Sequence, residues 1–90
     1  MINVLSRDLN EKAKNIVSSG YIPAIIYGNK LENSIPVKVY KTDFKRLVEA
    51  NLHTGTIELN LNGEIKNCVI KDVQIDSIKD SYLHIDFKLI

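Results

Sequence analysis

The dipeptide Asn62-Gly63 is the feature that most restricts the folds open to this 90-residue chain. It separates an alternating apolar run over residues 57–61 from a second extended run over 64–75. Both residues of a two-residue hairpin turn adopt positive φ, which Asn and Gly tolerate best. The sequence therefore predicts an antiparallel hairpin at this point. The second run carries apolar residues on both faces, so we expect a β-bulge within it.

Four more segments have the composition of strands, namely 2–6, 21–28, 35–40 and 82–90. The last is the most regular, because residues two apart on a strand share a face. We expect its two faces to be an apolar one with Leu83, Ile85, Phe87 and Leu89, and a polar one with Tyr82, His84, Asp86 and Lys88.

Two short helices are predicted between these strands. The first covers residues 9–19 and ends at Gly20. The second begins after Thr42, a good N-cap residue, and has an apolar stripe of Phe44, Leu47 and Val48. About six strands and two helices in one domain over residues 1–90 predict a mainly β fold, either a small barrel or a sandwich.

The residue types present exclude several classes of protein. Cys68 is the only cysteine, so the chain forms no intramolecular disulfide and has no Cys-x-x-Cys zinc framework. No apolar run approaches the roughly 18 residues of a membrane span. The N-terminus has no pattern of a signal peptide. We therefore expect a reduced, cytoplasmic protein without metal or other cofactors.

Motifs of catalysis are missing from the sequence. It has no glycine-rich phosphate loop, no nucleophile elbow and no His-Glu-x-x-His. Cys68 with His84 is the one conceivable nucleophile and base, but Cys68 lies in an apolar strand, where a small core residue is the simpler interpretation. The sequence predicts a protein that is not an enzyme and has no small-molecule substrate.

Charge favours no particular partner. The net charge is +1, with +3 over residues 1–50 and −2 over residues 51–90. A nucleic-acid-binding domain usually has a pI above about 9. If the chain has a basic surface, that surface therefore belongs to the N-terminal half. The alternative interpretation is an ordinary mixing of surface charges, which explains the same distribution.

His84 and Asp86 are the most suggestive polar pair, since residues two apart on a strand stand about 7 Å apart on one face. Such a pair can contact base edges, because a carboxylate accepts hydrogen bonds from exocyclic amines. The solvent face of an amphipathic strand is the alternative interpretation. Three tyrosines are either stacking platforms for unpaired bases or half-buried barrel residues: Tyr27, Tyr40 and Tyr82.

Three blocks in register give a more specific indication. They are Gly-Tyr-Ile-Pro-Ala-Ile-Ile-Tyr-Gly at 20–28, Val-Ile-Lys-Asp-Val-Gln at 69–74 and Leu-His-Ile-Asp-Phe at 83–87. Together they resemble the bacterial ribosomal L25 family, to which general stress protein Ctc is related, over essentially the whole chain. The resemblance implies a closed six-stranded β-barrel with two or three helices. It also implies that the protein is a part of the large ribosomal subunit and binds an internal loop of 5S rRNA. Because the sequence stops soon after Phe87, we expect the short form of the family.

The resemblance also implies the residues of the RNA site. Four positions that read the RNA in the family are intact: Tyr27, Gln74, His84 and Asp86. Four cations are expected to hold phosphates: Arg7, Lys12, Lys14 and Lys71.

The chain departs from the family pattern mainly in charge. Asn15 and Val17 occupy positions of the first helix where relatives usually carry cations. Asp76 stands where a residue able to carry a positive charge is common, so we expect its carboxylate to repel the RNA backbone. These changes leave open an alternative, a stress-related or protein-binding module on the same barrel with weakened or lost RNA binding.

Overall fold

Six strands and two helices make up the computed structural model, which describes residues 1–8, 10–28, 31–79 and 81–90. In chain order they are β1 (Ile2–Ser6), α1 (Ala13–Ser18), β2 (Tyr21–Tyr27), β3 (Ile35–Tyr40), α2 (Lys41–Glu49), β4 (Ile57–Leu61), β5 (Glu64–Asp76) and β6 (Ser81–Leu89). Every predicted strand is therefore confirmed. The first helix is shorter than predicted, because it begins at Ala13, with Lys12 as its N-cap, and not at residue 9. Leu9, Asn29, Lys30 and Asp80 lie outside the described residues.

The strands close into a barrel in the order β1-β3-β2-β6-β5-β4, and β4 pairs again with β1. The pairs β1–β4 and β2–β6 are parallel, and the other four are antiparallel. Closure confirms the barrel and excludes the sandwich. The described strands thus leave no open edge for another strand to pair with.

The hairpin turn has the predicted conformation. Asn62 has φ 54° and Gly63 has φ 87°, the two positive values that a type I′ turn requires. Asn60 supports the turn, since its Oδ1 accepts a hydrogen bond from the Gly63 N–H at 3.0 Å. The turn fixes the register of β4 with β5.

Pairing between β5 and β6 is interrupted twice. The register steps between Ile70 and Asp72, which leaves Lys71 as an extra residue on β5 and confirms the predicted bulge. It steps again between Gln74 and Ile75, where Leu83 is the extra residue on β6.

The second bulge makes one sequence prediction wrong. Strict alternation predicted Leu83 inside and Tyr82 outside. Leu83 is instead 44% exposed, and Tyr82 packs against the core with its ring edge-on to Phe44, at 5.0 Å between centroids. The extra residue shifts the alternation by one position, so the two side chains exchange faces.

The start of α2 also differs from the prediction. Strand β3 passes directly into the helix, so that Tyr40 is the N-cap and Thr42 lies inside the first turn. Tyr40 makes no side-chain capping bond. The N–H of Lys41 instead donates to the carbonyl oxygen of Gly20 at 2.9 Å, which satisfies one of the free donors at the helix start.

The shorter helix α1 packs on β2 through Ile16, which is 1% exposed. Within the barrel the apolar faces of all six strands meet, and Phe44 of α2 covers one side of this core. Among the residues that the structure describes, no helix has the length and apolar character needed to span a bilayer.

Phe87 should dominate the stability of the barrel. It is fully buried and packs in the central cluster. We expect Phe87→Ala to lower the free energy of unfolding by about 3–5 kcal/mol, the usual cost of a large cavity. The control His84→Ala changes the outer side of the same strand and should change the free energy of unfolding by only about 0.5 kcal/mol. Urea unfolding followed by circular dichroism measures both, and equal losses would contradict this division of β6.

Cys68 provides an independent test of the core. Burial raises the pKa of its thiol, an effect that the charge of Lys66 partly opposes. The thiolate is the reactive form, and burial of Cys68 disfavours it. Alkylation therefore requires the core to open. We expect iodoacetamide to modify the folded protein about 5,000-fold more slowly than the urea-unfolded chain, the factor for roughly 5 kcal/mol of stability. Similar rates in both states would mean that β5 opens locally.

Candidate nucleic-acid interface

The outer surface of β6 carries the most suggestive polar residues. Ile85 and Phe87 are fully buried in the barrel, so His84, Asp86 and Lys88 lie on the outer side by alternation. All three are only partly exposed. This surface is neither core nor freely solvated, and it is shaped by the neighbouring strands.

Strand β5 adds two residues to this surface. Gln74 lies directly opposite His84, and Asp72 lies opposite Asp86. Directly opposed side chains have Cβ atoms about 4.5–5.5 Å apart. The structure therefore brings the amide and carboxylate of β5 beside the imidazole and carboxylate of β6, although the two pairs are at least ten positions apart in the sequence.

Strand β2 borders β6 on its other side. In the parallel register Tyr27 pairs with Lys88, and Ile25 pairs with Asp86. Ile26, which lies between Ile25 and Tyr27, points into the core. By alternation the ring of Tyr27 therefore belongs to the outer surface. We give the name polar face to six polar outer residues of these three strands: Tyr27, Asp72, Gln74, His84, Asp86 and Lys88.

Gly28 explains why the end of β2 approaches β6 so closely. A Cβ atom at this position would lie 3.0 Å from the carbonyl oxygen of Leu89, closer than real side chains tolerate without a shift. Glycine therefore lets β2 run tightly beside β6 at the point where Tyr27 meets Lys88.

His84 and Asp86 are in direct contact. His84 Nδ1 lies 3.1 Å from Asp86 Oδ1, and the two side chains are 27% and 32% exposed. The contact holds the imidazole beside the carboxylate, with Nε2 on the side of the ring away from Asp86. The pair thus presents one ring nitrogen and the free oxygen of Asp86 in a fixed arrangement.

The bulge of β5 exposes Lys71 beside Asp72. An extra residue allows two consecutive side chains to face outward while Ile70 and Val73 still pack on the core. The predicted RNA residue Lys71 is therefore next to the polar face, though its position comes from an irregularity of the strand.

Arg7 has a structural role that the sequence did not predict. Its Nε donates to the carbonyl oxygen of Val37 at 3.1 Å, and its Nη2 donates to that of Ala24 at 3.4 Å. The side chain thus ties the segment after β1 to β2 and β3. Three of the five guanidinium N–H groups are not used in these bonds.

Lys12 and Lys14 occupy the start of α1, and both are exposed. Lys12 shares a shallow depression with the carboxylates of Asp8 and Glu11. Lys14 also borders a second groove, where Leu83 lies beside it. Because Leu83 precedes His84, α1 adjoins one end of the polar face.

Two of the three candidate tyrosines lie elsewhere. Tyr82 packs on Phe44, as described above, so the structure excludes it as an open stacking platform. Tyr40 ends β3 with its ring edge-on to Tyr21 at 5.5 Å, and Tyr21 starts the strand that Tyr27 ends. Only Tyr27 belongs to the polar face.

Sequence reasoning missed Asp72 and Lys88 as members of this face. Alternation along β6 predicts that Lys88 faces outward but indicates no role for it, and Asp72 stands only as a member of the block at 69–74. Their cross-strand partners, Asp86 and Tyr27, are known only from the register. Among the described residues, no three His, Cys, Asp or Glu side chains are grouped so as to hold a metal ion.

A closed barrel with such a polar outer face is an architecture suited to recognising another macromolecule through hydrogen bonds. The model of the Ribosomal L25p family matches residues 2–87 of the chain. The chain belongs to this family, which confirms the resemblance seen in the sequence. The family is one of ribosomal proteins, which are structural components rather than enzymes.

Individual relatives agree with this assignment. Proteins named large ribosomal subunit protein bL25 are similar to the chain in Thermoanaerobacter sp. (strain X514), at 33% identity over 88 residues, and in Halalkalibacterium halodurans, at 39% over 75 residues. These alignments cover 97% and 82% of this chain but only 44% and 34% of the relatives. The chain thus spans less than half the length of the curated relatives it matches.

Proposed function

We propose that this protein is a structural component of the large ribosomal subunit, in the cytoplasm, and that its polar face binds an internal loop of 5S rRNA. The observation that carries the proposal is that β2, β5 and β6 place Tyr27, Gln74, His84 and Asp86 on one outer surface. The membership of the L25p family and the names of its relatives support the ribosomal assignment.

The chemistry of the polar face suits a distorted RNA helix. The major groove of regular A-form RNA is too deep and narrow for side chains, so sequence is read where internal loops open it. Gln74 offers a donor and an acceptor, Asp86 accepts from exocyclic amines, and Tyr27 provides an aromatic surface. The fixed His84–Asp86 pair limits the entropy that binding must remove.

Phosphate contacts are assigned to few cations. Lys12 and Lys14 of α1, Lys71 of the β5 bulge and the unused N–H groups of Arg7 are the candidates. Two carboxylates in the polar face oppose them, which fits the small net charge of the chain. Base contacts rather than phosphate contacts therefore provide most of the specificity.

Removing a polar side chain from the face should weaken RNA binding without unfolding the protein. We expect Gln74→Ala and His84→Ala each to weaken binding to a 5S rRNA internal-loop fragment by about 1–3 kcal/mol, as for a lost base contact. Asn67→Ala is the matched control for Gln74→Ala, because it removes another exposed amide from β5, at the other end of the strand and opposite Glu58 of β4. Fluorescence anisotropy measures the affinities, and urea unfolding checks the fold.

Three outcomes of this titration decide the proposal. With two to four phosphate contacts, log Kd should change with log salt by a slope of about 2–3. A slope above about 6 would mean that a basic surface does the binding instead. Wild-type protein that fails to bind the fragment at low salt would favour the stress-related or protein-binding module.

Cations restored to α1 should tighten binding. Ile16 is the buried residue of this helix, whereas Asn15 and Val17 are exposed, so Asn15→Arg with Val17→Arg should be tolerated. We expect higher affinity and a salt slope steeper by about 0.7–0.9 for each new contact. Thermal melts accompany the titration. Folded variants with unchanged affinity and slope would remove α1 from the interface.

A further inference from the structure

A shallow groove runs between α1 and the start of β6. Its apolar floor contains Val17 and Leu83, which are 39% and 44% exposed. Lys14 borders it from α1, and Lys79 borders it from the turn after β5. Among the described residues, the side chains that line this groove carry two positive charges and no negative charge.

The backbone of the turn that carries Lys79 is held in place by Asp76. Oδ1 of Asp76 accepts hydrogen bonds from the backbone N–H groups of Ile78, at 3.0 Å, and Lys79, at 3.2 Å. Asp76 is the last residue of β5 and is paired with Ser81 of β6, so its own position is set by the barrel. A side-chain oxygen that accepts two successive N–H groups fixes the conformation of a turn.

The groove is continuous with the polar face. Leu83 is the bulged residue of β6 and directly precedes His84. An RNA backbone that left the face at its His84 end would pass over Leu83. Apolar floors flanked by lysines suit a ribose-phosphate chain, because the sugars lie on the apolar surface and the phosphates meet the ammonium groups.

We propose that Lys79, positioned by Asp76, forms with Lys14 a phosphate clamp for the RNA backbone that leaves the polar face. The clamp deepens the proposed function and rests on it. It gives Asp76 a positioning role in place of the repulsive one expected from the sequence. It also supplies a cation from the turn after β5 where α1 has lost charge at Asn15 and Val17.

Substitutions at Lys79 test the clamp directly. We expect Lys79→Gln to weaken binding of the 5S rRNA internal-loop fragment about fivefold and to reduce the salt slope by about 0.7–0.9. A duplex of equal length without the loop should lose affinity by the same factor, because a phosphate contact is independent of sequence. Arg46→Gln is the control, since it removes the same charge from α2, where Arg46 lies beside Met1 and Asn3.

Two substitutions of Asp76 separate positioning from repulsion. Asp76→Asn keeps an oxygen that accepts the two N–H groups and removes the charge, so binding should equal or exceed that of the wild type. Asp76→Ala removes the acceptor and should weaken binding about as much as Lys79→Gln. The double variant Asp76→Ala with Lys79→Gln should bind no more weakly than either single variant, because both remove one contact. Thermal melts establish that each variant is folded.

The results distinguish the clamp from the polar face. If His84→Ala weakens binding and Lys79→Gln does not, the clamp is wrong and the proposed function stands. If Asp76→Asn and Asp76→Ala both tighten binding equally, Asp76 is only repulsive and the positioning role is overturned. If the wild-type protein binds no RNA at low salt, both proposals fail together.

Discussion

Closure of the sheet is the constraint on which the rest of this structure depends. The parallel pairing of β4 with β1 joins the last free strands, so the apolar side chains of all six strands face one interior. A closed barrel has no edge that recruits another strand. Recognition of a partner is therefore left to outward side chains, such as the polar ones that lie together on β2, β5 and β6.

Two bulges adapt that barrel to a polar face. Lys71 and Leu83 are extra residues on facing strands, and each lets the strand keep its core contacts while one more side chain turns outward. Without the bulge at Leu83, Tyr82 would lie outside and would lose its packing on Phe44. The same irregularity therefore serves the core and extends the outer surface toward α1.

This surface carries little positive charge. The chain has a net charge of +1, and its polar face includes two opposed carboxylates, Asp72 and Asp86. Long-range attraction to a polyanion is correspondingly weak, so affinity must come from well-placed short contacts. Contacts that restrain side chains and turns before binding, such as the close contact of His84 with Asp86 and the hydrogen bond that Asp76 accepts from the backbone of Lys79, reduce the entropy lost on association.

The sequence by itself determined the strands, the Asn62-Gly63 turn and the family, because alternation, turn chemistry and motif spacing are local properties of a chain. It also placed His84 and Asp86 on one face. Only the tertiary structure decided that Gln74 lies opposite His84 and that Asp76 holds Lys79 beside the groove, since register and bulges depend on contacts between distant residues. The start of α2 was missed for the same reason: the carbonyl that binds its first N–H belongs to Gly20, and no local signal in the sequence reports that contact.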